Sequence, residues 1–219
     1  MKENLSSLYQ NRFKENMADK NRIWKILCLD FFQKYIDSEN DTVLDLAAGY
    51  GDFLNNIKAK KKIAVDLNED IKKYVAEGTE VIISDCKKIE ALGDDSVDKI
   101  FISNFLEHLN NTDEVILVLQ ECYRLLKPGG KILILQPNIY YVKEKYWFFI
   151  DHKTPLTHES LAEALEVAGF EITYLKKKFL PYSTKSPPFP QSDFFIKIYL
   201  NFPILQMIFG KQSFVIGKK

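Results

Sequence analysis

The stretch that decides the expected fold is Val43–Phe53, which reads VLDLAAGYGDF. Its first half is apolar around one acid, as in a buried parallel strand, and its two glycines enclose a single tyrosine, as in a tight turn. Glycine there lets a ligand lie against the backbone and adopts the positive φ that such turns often need. The helix-like stretch Asp52–Ile57 follows, and a helix N-terminus offers free N–H groups to a ligand. The sequence therefore predicts a ligand-binding turn, with Asp45 as a fixed acceptor at the carboxyl end of the strand.

Alternating strands and helices follow this turn. The predicted strands are 63–65, 81–84, 97–103, 131–136, 171–175 and 213–217. A helix over 111–126 carries its apolar residues on one face and stops at Lys127–Gly130. A second helix over 157–168 has Thr157 as its N-cap and Gly169 at its C-terminal end. This alternation is typical of an α/β protein.

The glycine turn resembles motif I of the class I S-adenosylmethionine-dependent methyltransferases, in which an acidic residue precedes three alternating glycines. Asp45, Gly49 and Gly51 match that pattern, and Ala47 stands where the first glycine usually is. The nicotinamide-type fingerprint fails in both frames, because no glycine stands three residues after the second one. The resemblance makes these three matching positions and Ala47 predicted cofactor contacts.

Two later stretches, Ser103–Leu109 and Glu121–Gly130, resemble the fourth and fifth motifs of the same methyltransferases. The resemblance implies an α/β, doubly wound, Rossmann-like sheet of seven strands, with the last strand antiparallel between the fifth and sixth. It also implies S-adenosylmethionine as the cofactor, bound at the carboxyl ends of the strands. We expect a single methyltransferase domain made of an N-terminal helical arm (1–41), a cofactor-binding core (42–179), an inserted cap (180–211) and the last strand (212–219).

Asp66-Leu67-Asn68 follows the second predicted strand. In Rossmann-like folds an acid at this point faces the ribose hydroxyls of the cofactor and accepts from both with its two oxygens. Asp66 and Leu67 are therefore predicted cofactor contacts. The alternative for Asp66 is the N-cap of a helix over 68–76, a role that Asn68 can fill itself.

Asp85-Cys86 follows the third predicted strand, and Asn104 follows the fourth. The methyltransferase resemblance implies that Asp85 accepts a hydrogen bond from the adenine amino group and that the Cys86 N–H reaches a ring nitrogen. Asn104 stands at the carboxyl edge beside the cofactor. The alternative for Asp85 is the start of a polar turn.

Three histidines, His108, His152 and His158, follow strands expected to point at the site. Because a hydroxyl acceptor needs a base, His108 and His152 are the candidate catalytic residues, with Glu107 as an alternative acid or base. For each histidine the alternative is a structural hydrogen bond in a turn or cap. No second His or Cys stands at ligand spacing, so the sequence predicts no metal site.

An aromatic stretch over 140–149 is expected to border the substrate opening, with Tyr141 and Trp147 as the predicted substrate contacts. Together with Gln136–Asn138, Asp151-His152 and Phe179–Tyr182, this stretch resembles bacterial members of the family associated with envelope glycans. That resemblance implies a small-molecule, sugar or lipid-linked glycan acceptor, methylated at oxygen or alternatively at nitrogen. The rival functions are a catalytically silent S-adenosylmethionine-binding regulatory or scaffold module and a nicotinamide-dependent oxidoreductase, which the failed glycine spacing disfavours.

Two segments flank the predicted core. Residues 1–19 have apolar side chains at helical spacing and form either a packing arm or a lid over the cofactor, and Arg22–Ile36 reads as a core helix. The cap holds five prolines, so it is not one long helix. Its residues 194–209 are dense in large apolar side chains. They pack on the sheet or form a homodimer contact, or they receive a greasy acceptor at a membrane surface.

Composition and charge restrict the partners and the compartment. The 30 basic residues balance the 30 acidic ones, which argues against nucleic acid as a partner. Three cysteines without a CxxC pair fit a reducing compartment. The sequence shows neither a signal-peptide core nor an apolar run of about eighteen residues. We therefore expect a cytoplasmic protein, with at most a peripheral membrane contact.

Overall fold

The computed structural model describes residues 17–182 and 192–219. These ranges contain seven strands: β1 (Thr42–Leu46), β2 (Lys61–Asp66), β3 (Glu80–Ile83), β4 (Val97–Ser103), β5 (Leu126–Pro137), β6 (Glu171–Lys176) and β7 (Gln212–Lys218). They form one sheet in the order β3-β2-β1-β4-β5-β7-β6. Every predicted strand is present. Most bounds agree within one or two residues, but β5 begins five residues earlier than predicted, so that Lys127–Gly130, predicted to stop the preceding helix, belong to the strand.

The direction of β7 confirms the predicted fold class. β7 pairs antiparallel with β5 and with β6, whereas the other four pairs of neighbouring strands are parallel. The chain leaves β1 toward one edge of the sheet and returns to β4 on the other side of β1. In open α/β sheets, ligands bind at such a reversal, outside the carboxyl ends of the strands.

Helices cover both faces of the sheet. The described α-helices are α1 (Met17–Asp30), α2 (Thr112–Leu125), α3 (Ile139–Val142), α4 (His158–Val167), α5 (Asp193–Asn201) and α6 (Pro203–Phe209). Short 3-10 helices lie at Phe32–Tyr35, Glu69–Lys73, Leu106–His108 and Lys143–Phe148.

The predicted helices over 111–126 and 157–168 both form, and each begins with a side-chain N-cap. The Asn111 side chain accepts a hydrogen bond from the Glu114 N–H at 2.9 Å at the start of α2. Thr157 and Ser160 form a reciprocal capping box at the start of α4. Gly169 has a φ of 101° directly after α4, which is the left-handed geometry of a helix C-terminus.

Three predicted helices differ in the structure. The core helix predicted over Arg22–Ile36 is α1, which ends at Asp30, followed by the 3-10 helix Phe32–Tyr35. Residues 52–57 form a single turn closed by the Asn55 N–H donating to the Gly51 carbonyl at 2.9 Å, and the chain then bends away. Asn55 and Asn56 use their side-chain amides on nearby carbonyl groups, which competes with regular helix formation. The predicted helix over 68–76 is the 3-10 helix Glu69–Lys73, capped by the Asn68 side chain.

The core has two layers because β1 buries both of its faces. Leu44 and Leu46 pack in the layer that includes the apolar faces of α2 and α4. Val43 points the other way, into the layer formed with α1, the Phe32–Tyr35 helix and α5. Side chains alternate between the faces of a strand, so a continuous apolar run is what a strand buried on both faces requires.

The described part of the predicted cap consists of α5 and α6. The two helices are separated at Phe202, and Pro203 occupies the first turn of α6, where its missing N–H costs nothing. The remainder of the cap, 183–191, and most of the predicted N-terminal lid, 1–16, lie outside the described residues. Within the described ranges, no helix is long and apolar enough to cross a membrane.

Candidate active site

A cavity of about 730 Å³ opens at the carboxyl ends of the central strands. Ten of the residues predicted from the sequence line it: Asp45, Ala47, Gly49, Asp66, Leu67, Asp85, Cys86, Asn104, His108 and His152. The same cavity therefore contains the predicted cofactor contacts and both predicted catalytic histidines.

Three predicted residues lie outside the lining of this cavity: Gly51, Tyr141 and Trp147. The Trp147 ring is 54% exposed and contacts the Tyr146 ring edge to face. Tyr141 stacks on the His158 ring at 6.1 Å. The sequence did not reveal which ring of the aromatic stretch points into the cavity, and Phe149 is the member that lines it.

The glycine turn is held in place by Asp66. The backbone N–H of Gly49 donates to one oxygen of the Asp66 carboxylate at 2.8 Å, and the Asn68 N–H donates to the other at 2.8 Å. Ala47, Gly49 and Gly51 all have positive φ, at 58°, 55° and 69°. Ala47 thus adopts the conformation for which the family pattern uses glycine, at a typical cost of about 1–2 kcal/mol.

Gly51 supports the turn from behind. A Cβ built there would lie 2.8 Å from the Cγ1 atom of Val75, whereas a Cβ at Gly49 has no protein atom within 4 Å. The Asn55 side chain joins the same two segments, donating to the Tyr74 carbonyl and accepting from the Ala76 N–H at 2.8 Å each. Gly51 therefore permits close packing between the turn and the loop that follows β2.

Asp45 is a buried carboxyl on the wall of the cavity, 4% exposed. Burial, together with the nearby charges of Asp52 and Asp66, raises its pKa well above the usual range. Among residues 17–182 and 192–219, none donates a hydrogen bond to its carboxylate. A buried carboxyl without a compensating donor favours a cationic or hydrogen-bond-donating ligand in the adjoining cavity.

Lys20 is the cation on this side of the cavity, and the sequence alone did not indicate it. Its Nζ atom lies 2.6 Å from the Asp52 carboxylate and 5.1 Å from the centre of the Tyr50 ring. Lys20 reaches the glycine turn from α1, which is remote from the turn in sequence. The cavity wall therefore combines several acids with two lysines, Lys20 and Lys87.

Asp85, Cys86 and Asn104 form the adjacent wall. Asp85 is exposed and accepts from the Lys87 N–H at 2.9 Å, whereas the Cys86 thiol is buried and its pKa is raised to about 12 by that burial. Asn104 has a φ of 49°, and its N–H donates to the Leu135 carbonyl at 2.9 Å. The thiol is thus a neutral packing group at neutral pH.

Glu107, His108 and His152 meet at the other end of the cavity. One ligand-type atom from each of the three side chains lies within 4.8 Å of the others. The His108 Nδ1 atom lies 3.0 Å from the Asp151 backbone carbonyl. Because a carbonyl only accepts, Nδ1 carries the proton of the neutral ring and Nε2 carries the lone pair.

The surroundings of Glu107 and His152 fix both side chains. The Gln136 amide donates to the Glu107 Oε2 atom at 2.9 Å, and burial raises the pKa of the Glu107 carboxyl. The His152 ring stacks on Phe149 at 5.0 Å and meets the edge of Tyr146 at 4.6 Å. Backbone hydrogen bonds from Lys153 and Thr154 to the Glu107 carbonyl hold the two segments together.

The remaining wall is apolar and comes partly from the cap. It contains Phe53, Phe101, Phe149, Leu180, Ile196, Tyr199 and Leu200. Phe53 stacks on Phe101 with ring centres 3.8 Å apart. The sequence indicated that the cap is rich in large apolar residues, but it did not indicate which side chains of α5 face the cavity.

The sheet order, the antiparallel last strand and an acid-lined cavity at the strand reversal define a class I methyltransferase fold. Residues 44–134 match the family model described as a methyltransferase domain. A solved S-adenosylmethionine-dependent methyltransferase from Archaeoglobus fulgidus is 26% identical, with a TM-score of 0.69, covering 98% of this chain and 99% of that one. These findings support a class I S-adenosylmethionine-dependent methyltransferase with S-adenosylmethionine as its cofactor.

Two relatives are similar over part of the chain. The demethylmenaquinone methyltransferase of Oceanobacillus iheyensis is 20% identical over 176 residues, which cover 74% of this chain and 72% of that protein. The ubiquinone/menaquinone biosynthesis C-methyltransferase UbiE of Rickettsia felis is 31% identical over 151 residues, covering 58% of this chain. The chain matches only 54% of that second relative.

Proposed function

We propose that this protein transfers the methyl group of S-adenosylmethionine to a hydroxyl oxygen of a small acceptor with an apolar part. The observation that carries the proposal is that one cavity joins an acid-lined end to the Glu107–His108–His152 cluster. The acidic end suits a sulfonium cofactor, and the cluster suits an acceptor that must lose a proton.

The residues that line the acidic end of the cavity are the proposed cofactor contacts. Asp66 accepts from the ribose hydroxyls, and Asp85 with the Cys86 N–H receives the adenine. The Gly49 backbone lies against the cofactor, and Asp45 compensates its positive charge. Leu67 and Asn104 complete the walls, and Lys20 is the cation available to the cofactor carboxylate. The bound cofactor supplies an activated methyl group, and the chain supplies position and orientation, which contribute up to about 7–11 kcal/mol to such transfers.

His108 and His152 prepare the acceptor. A hydroxyl is a weak nucleophile until its proton is removed, and the Asp151 carbonyl keeps the His108 proton on Nδ1, which makes Nε2 the basic nitrogen for that task. His152 borders the same space against Phe149. Both residues are proposed catalytic residues, and Asp151 is a positioning residue for His108.

The acceptor is proposed to be amphiphilic. Leu180, Ile196 and Leu200 contribute an apolar wall beside the cluster, which suits a lipid-linked glycan or a ring compound more closely than a free sugar. A second candidate reaction is methylation of a ring carbon next to a deprotonated hydroxyl. The names of the two relatives, both of quinone biosynthesis, favour that reaction, and it requires the same loss of a proton.

The outer surface of α5 and α6 provides a candidate route to such an acceptor. Phe194, Ile204, Met207 and Ile208 on these helices, and Phe202 between them, are each more than half exposed, while other residues of α5 line the cavity. We propose that this surface rests on the cytoplasmic face of a membrane. A homodimer through the same surface is the alternative outcome of the test given in the Discussion.

A screen for release of S-adenosylhomocysteine tests the proposed function. The panel contains ring hydroxyls, quinol precursors, sugars and polyprenyl-linked sugars, each with a matched O-methyl ether that blocks the hydroxyl. Turnover with a hydroxyl acceptor, and none with its ether, supports transfer that depends on the hydroxyl. Mass spectrometry then separates O- from C-methyl products. Tight binding of S-adenosylmethionine without turnover across the panel supports a silent binding module instead.

A further inference from the structure

We infer that Glu107, His108 and His152 form a binding site for one divalent transition-metal ion at the acceptor end of the cavity. The role of this ion rests on the proposed function, whereas its binding does not. The inference is carried by the position and orientation of the three side chains.

The three side chains are close enough to share an ion. Their ligand-type atoms lie within 4.8 Å of one another, and the distance between Glu107 Oε1 and His108 Nε2 is 4.0 Å. An ion at about 2.0–2.2 Å from each ligand needs ligand atoms roughly 3–3.5 Å apart. Ligand atoms that lie up to 4.8 Å apart therefore have to approach by about 1 Å when the ion binds.

Two members of the cluster, His108 and Glu107, are oriented as metal ligands usually are. The Asp151 carbonyl receives Nδ1–H of His108, which leaves Nε2 as the ligand atom. The Gln136 amide holds the Oε2 atom of Glu107 and leaves Oε1 facing His108. Such outer hydrogen bonds fix the ring orientation and ligand basicity of metal sites. Glu107 is 1% exposed, so the carboxylate is not a solvated surface group.

The ligand types indicate the class of ion. Two imidazoles and one carboxylate suit Zn²⁺, Co²⁺, Ni²⁺ or Fe²⁺, whereas Mg²⁺ prefers oxygen ligands. Three protein ligands leave a coordination position open toward the cavity. An acceptor hydroxyl in that position becomes more acidic and releases its proton to water. Its oxygen then forms the bond to the methyl carbon as the bond between that carbon and sulfur breaks.

Sequence spacing did not predict this site because its two halves are distant along the chain. The Lys153 and Thr154 N–H groups donate to the Glu107 carbonyl at 2.8 and 3.1 Å. These bonds bring His152 beside Glu107 and His108. When the ion is bound, the Nε2 lone pair of His108 is a ligand; in the metal-free protein it is the base proposed above.

Titration of the full chain with Co²⁺ tests the inference without an acceptor. We expect one equivalent to bind, with visible absorption bands typical of imidazole coordination. His108→Ala and His152→Ala should each weaken binding at least about tenfold, as changes around metal sites usually do. His158→Gln is the matched control, because His158 bonds to Asn138 outside the cluster and should leave the affinity unchanged. Thermal unfolding and S-adenosylmethionine affinity verify that each variant is folded.

Absence of Co²⁺ binding, or wild-type affinity in both alanine variants, would overturn the metal site. A chelator arm of the acceptor screen separates this result from a failure of the proposed function. If turnover persists in the presence of a chelator, the ion has no role in catalysis, and methyl transfer with His108 as the base is retained. If the protein binds Co²⁺ but the acceptor screen yields no methylated hydroxyl, the metal site is supported and the proposed function is contradicted.

Discussion

The carboxylate of Asp66 accepts a hydrogen bond from the backbone N–H of Gly49 at 2.8 Å. This bond joins the end of β2 to the glycine turn that follows β1, so one side chain both lines the cavity and shapes its wall. The second oxygen of Asp66 accepts from the Asn68 N–H. Loss of this carboxylate is therefore expected to affect the turn as well as the cofactor.

Replacement of Asp66 by Ala should weaken S-adenosylmethionine binding by about 1.5–3 kcal/mol, as expected for loss of a charge-assisted hydrogen-bonding partner. It should also lower the free energy of unfolding by about 1 kcal/mol or more, because two backbone N–H groups lose their acceptor. Calorimetry and denaturant unfolding measure the two effects. Asp66→Asn is the matched control, since it keeps the shape and one acceptor oxygen. Wild-type affinity in the Asp66→Ala protein would remove Asp66 from the cofactor site.

The two glycines of the turn should respond differently to substitution. The sequence alone predicts that a side chain at Gly51 excludes the cofactor, but the structure directs a Cβ there toward Val75 at 2.8 Å. Gly51→Ala should therefore lower the free energy of unfolding by about 1–3 kcal/mol through crowding, in addition to backbone strain. Gly49→Ala has the strain without the crowding, and its Cβ lies on the cavity wall.

We therefore expect Gly49→Ala to lose more S-adenosylmethionine affinity than Gly51→Ala for an equal loss of stability. Dissociation constants and unfolding free energies of the two variants, measured side by side, check this expectation. If Gly51→Ala loses more affinity at equal stability, the cofactor approaches the turn from the other side.

The buried carboxyl of Asp45 should destabilise the cofactor-free protein as the pH rises above the acidic range. Its pKa in the folded protein is raised by burial, so the folded state binds more protons than the unfolded state between the usual carboxyl pKa of about 3.9 and the raised value. The free energy of unfolding therefore falls as pH rises through that interval. Each pH unit by which the pKa is raised costs about 1.4 kcal/mol.

Asp45→Asn should remove this cost and weaken S-adenosylmethionine binding, because the neutral amide no longer compensates the positive charge of the cofactor. The stability advantage of the variant over wild type should grow from about pH 4 toward neutrality. Denaturant unfolding across this range, together with calorimetry at neutral pH, measures both effects. A variant less stable than wild type at neutral pH would show that the Asp45 carboxylate stabilises the fold.

The parts of the fold that depend on local pattern were predictable from the sequence. The strands, the caps at Asn111 and Thr157 and the acids at strand ends each follow from a few consecutive residues. Features created by contacts distant along the chain were not predictable. Lys20 reaches Asp52 from α1, and backbone hydrogen bonds from Lys153 and Thr154 to the Glu107 carbonyl bring His152 beside Glu107. The direction of individual side chains was not predictable either, because a cluster of aromatic residues at 140–149 does not indicate which ring faces the cavity.

His108 and His152 should affect turnover much more than cofactor affinity. Replacement of either by Ala should lower turnover of a hydroxyl acceptor by about 10²–10⁴-fold, the usual contribution of a positioned proton acceptor. Initial rates of S-adenosylhomocysteine release and calorimetric S-adenosylmethionine affinity separate the two properties. His158→Gln serves as the control for general damage. Near-normal turnover in the double alanine variant would leave positioning, or Glu107, as the source of catalysis.

The exposed apolar surface of α5 and α6 should bind lipid. Phe194, Ile204 and Met207 are 68%, 68% and 67% exposed, and burial of such side chains contributes about 1.5–3 kcal/mol each when complete. Replacement of all three by Ser should weaken binding to phosphatidylglycerol vesicles at least about tenfold. S-adenosylmethionine affinity should remain, because none of the three lines the cavity. Vesicle sedimentation and calorimetry measure these outcomes.

A matched variant distinguishes this surface from general apolar exposure. Leu29, Leu117 and Val167 are 48%, 50% and 60% exposed on α1, α2 and α4, and their replacement by Ser should leave vesicle binding unchanged. Equal losses in the two variants would contradict a dedicated lipid-binding surface. If the wild-type protein ignores vesicles and is instead a dimer by solution scattering, and the α5–α6 changes dissociate it, this surface is a contact between two copies of the chain.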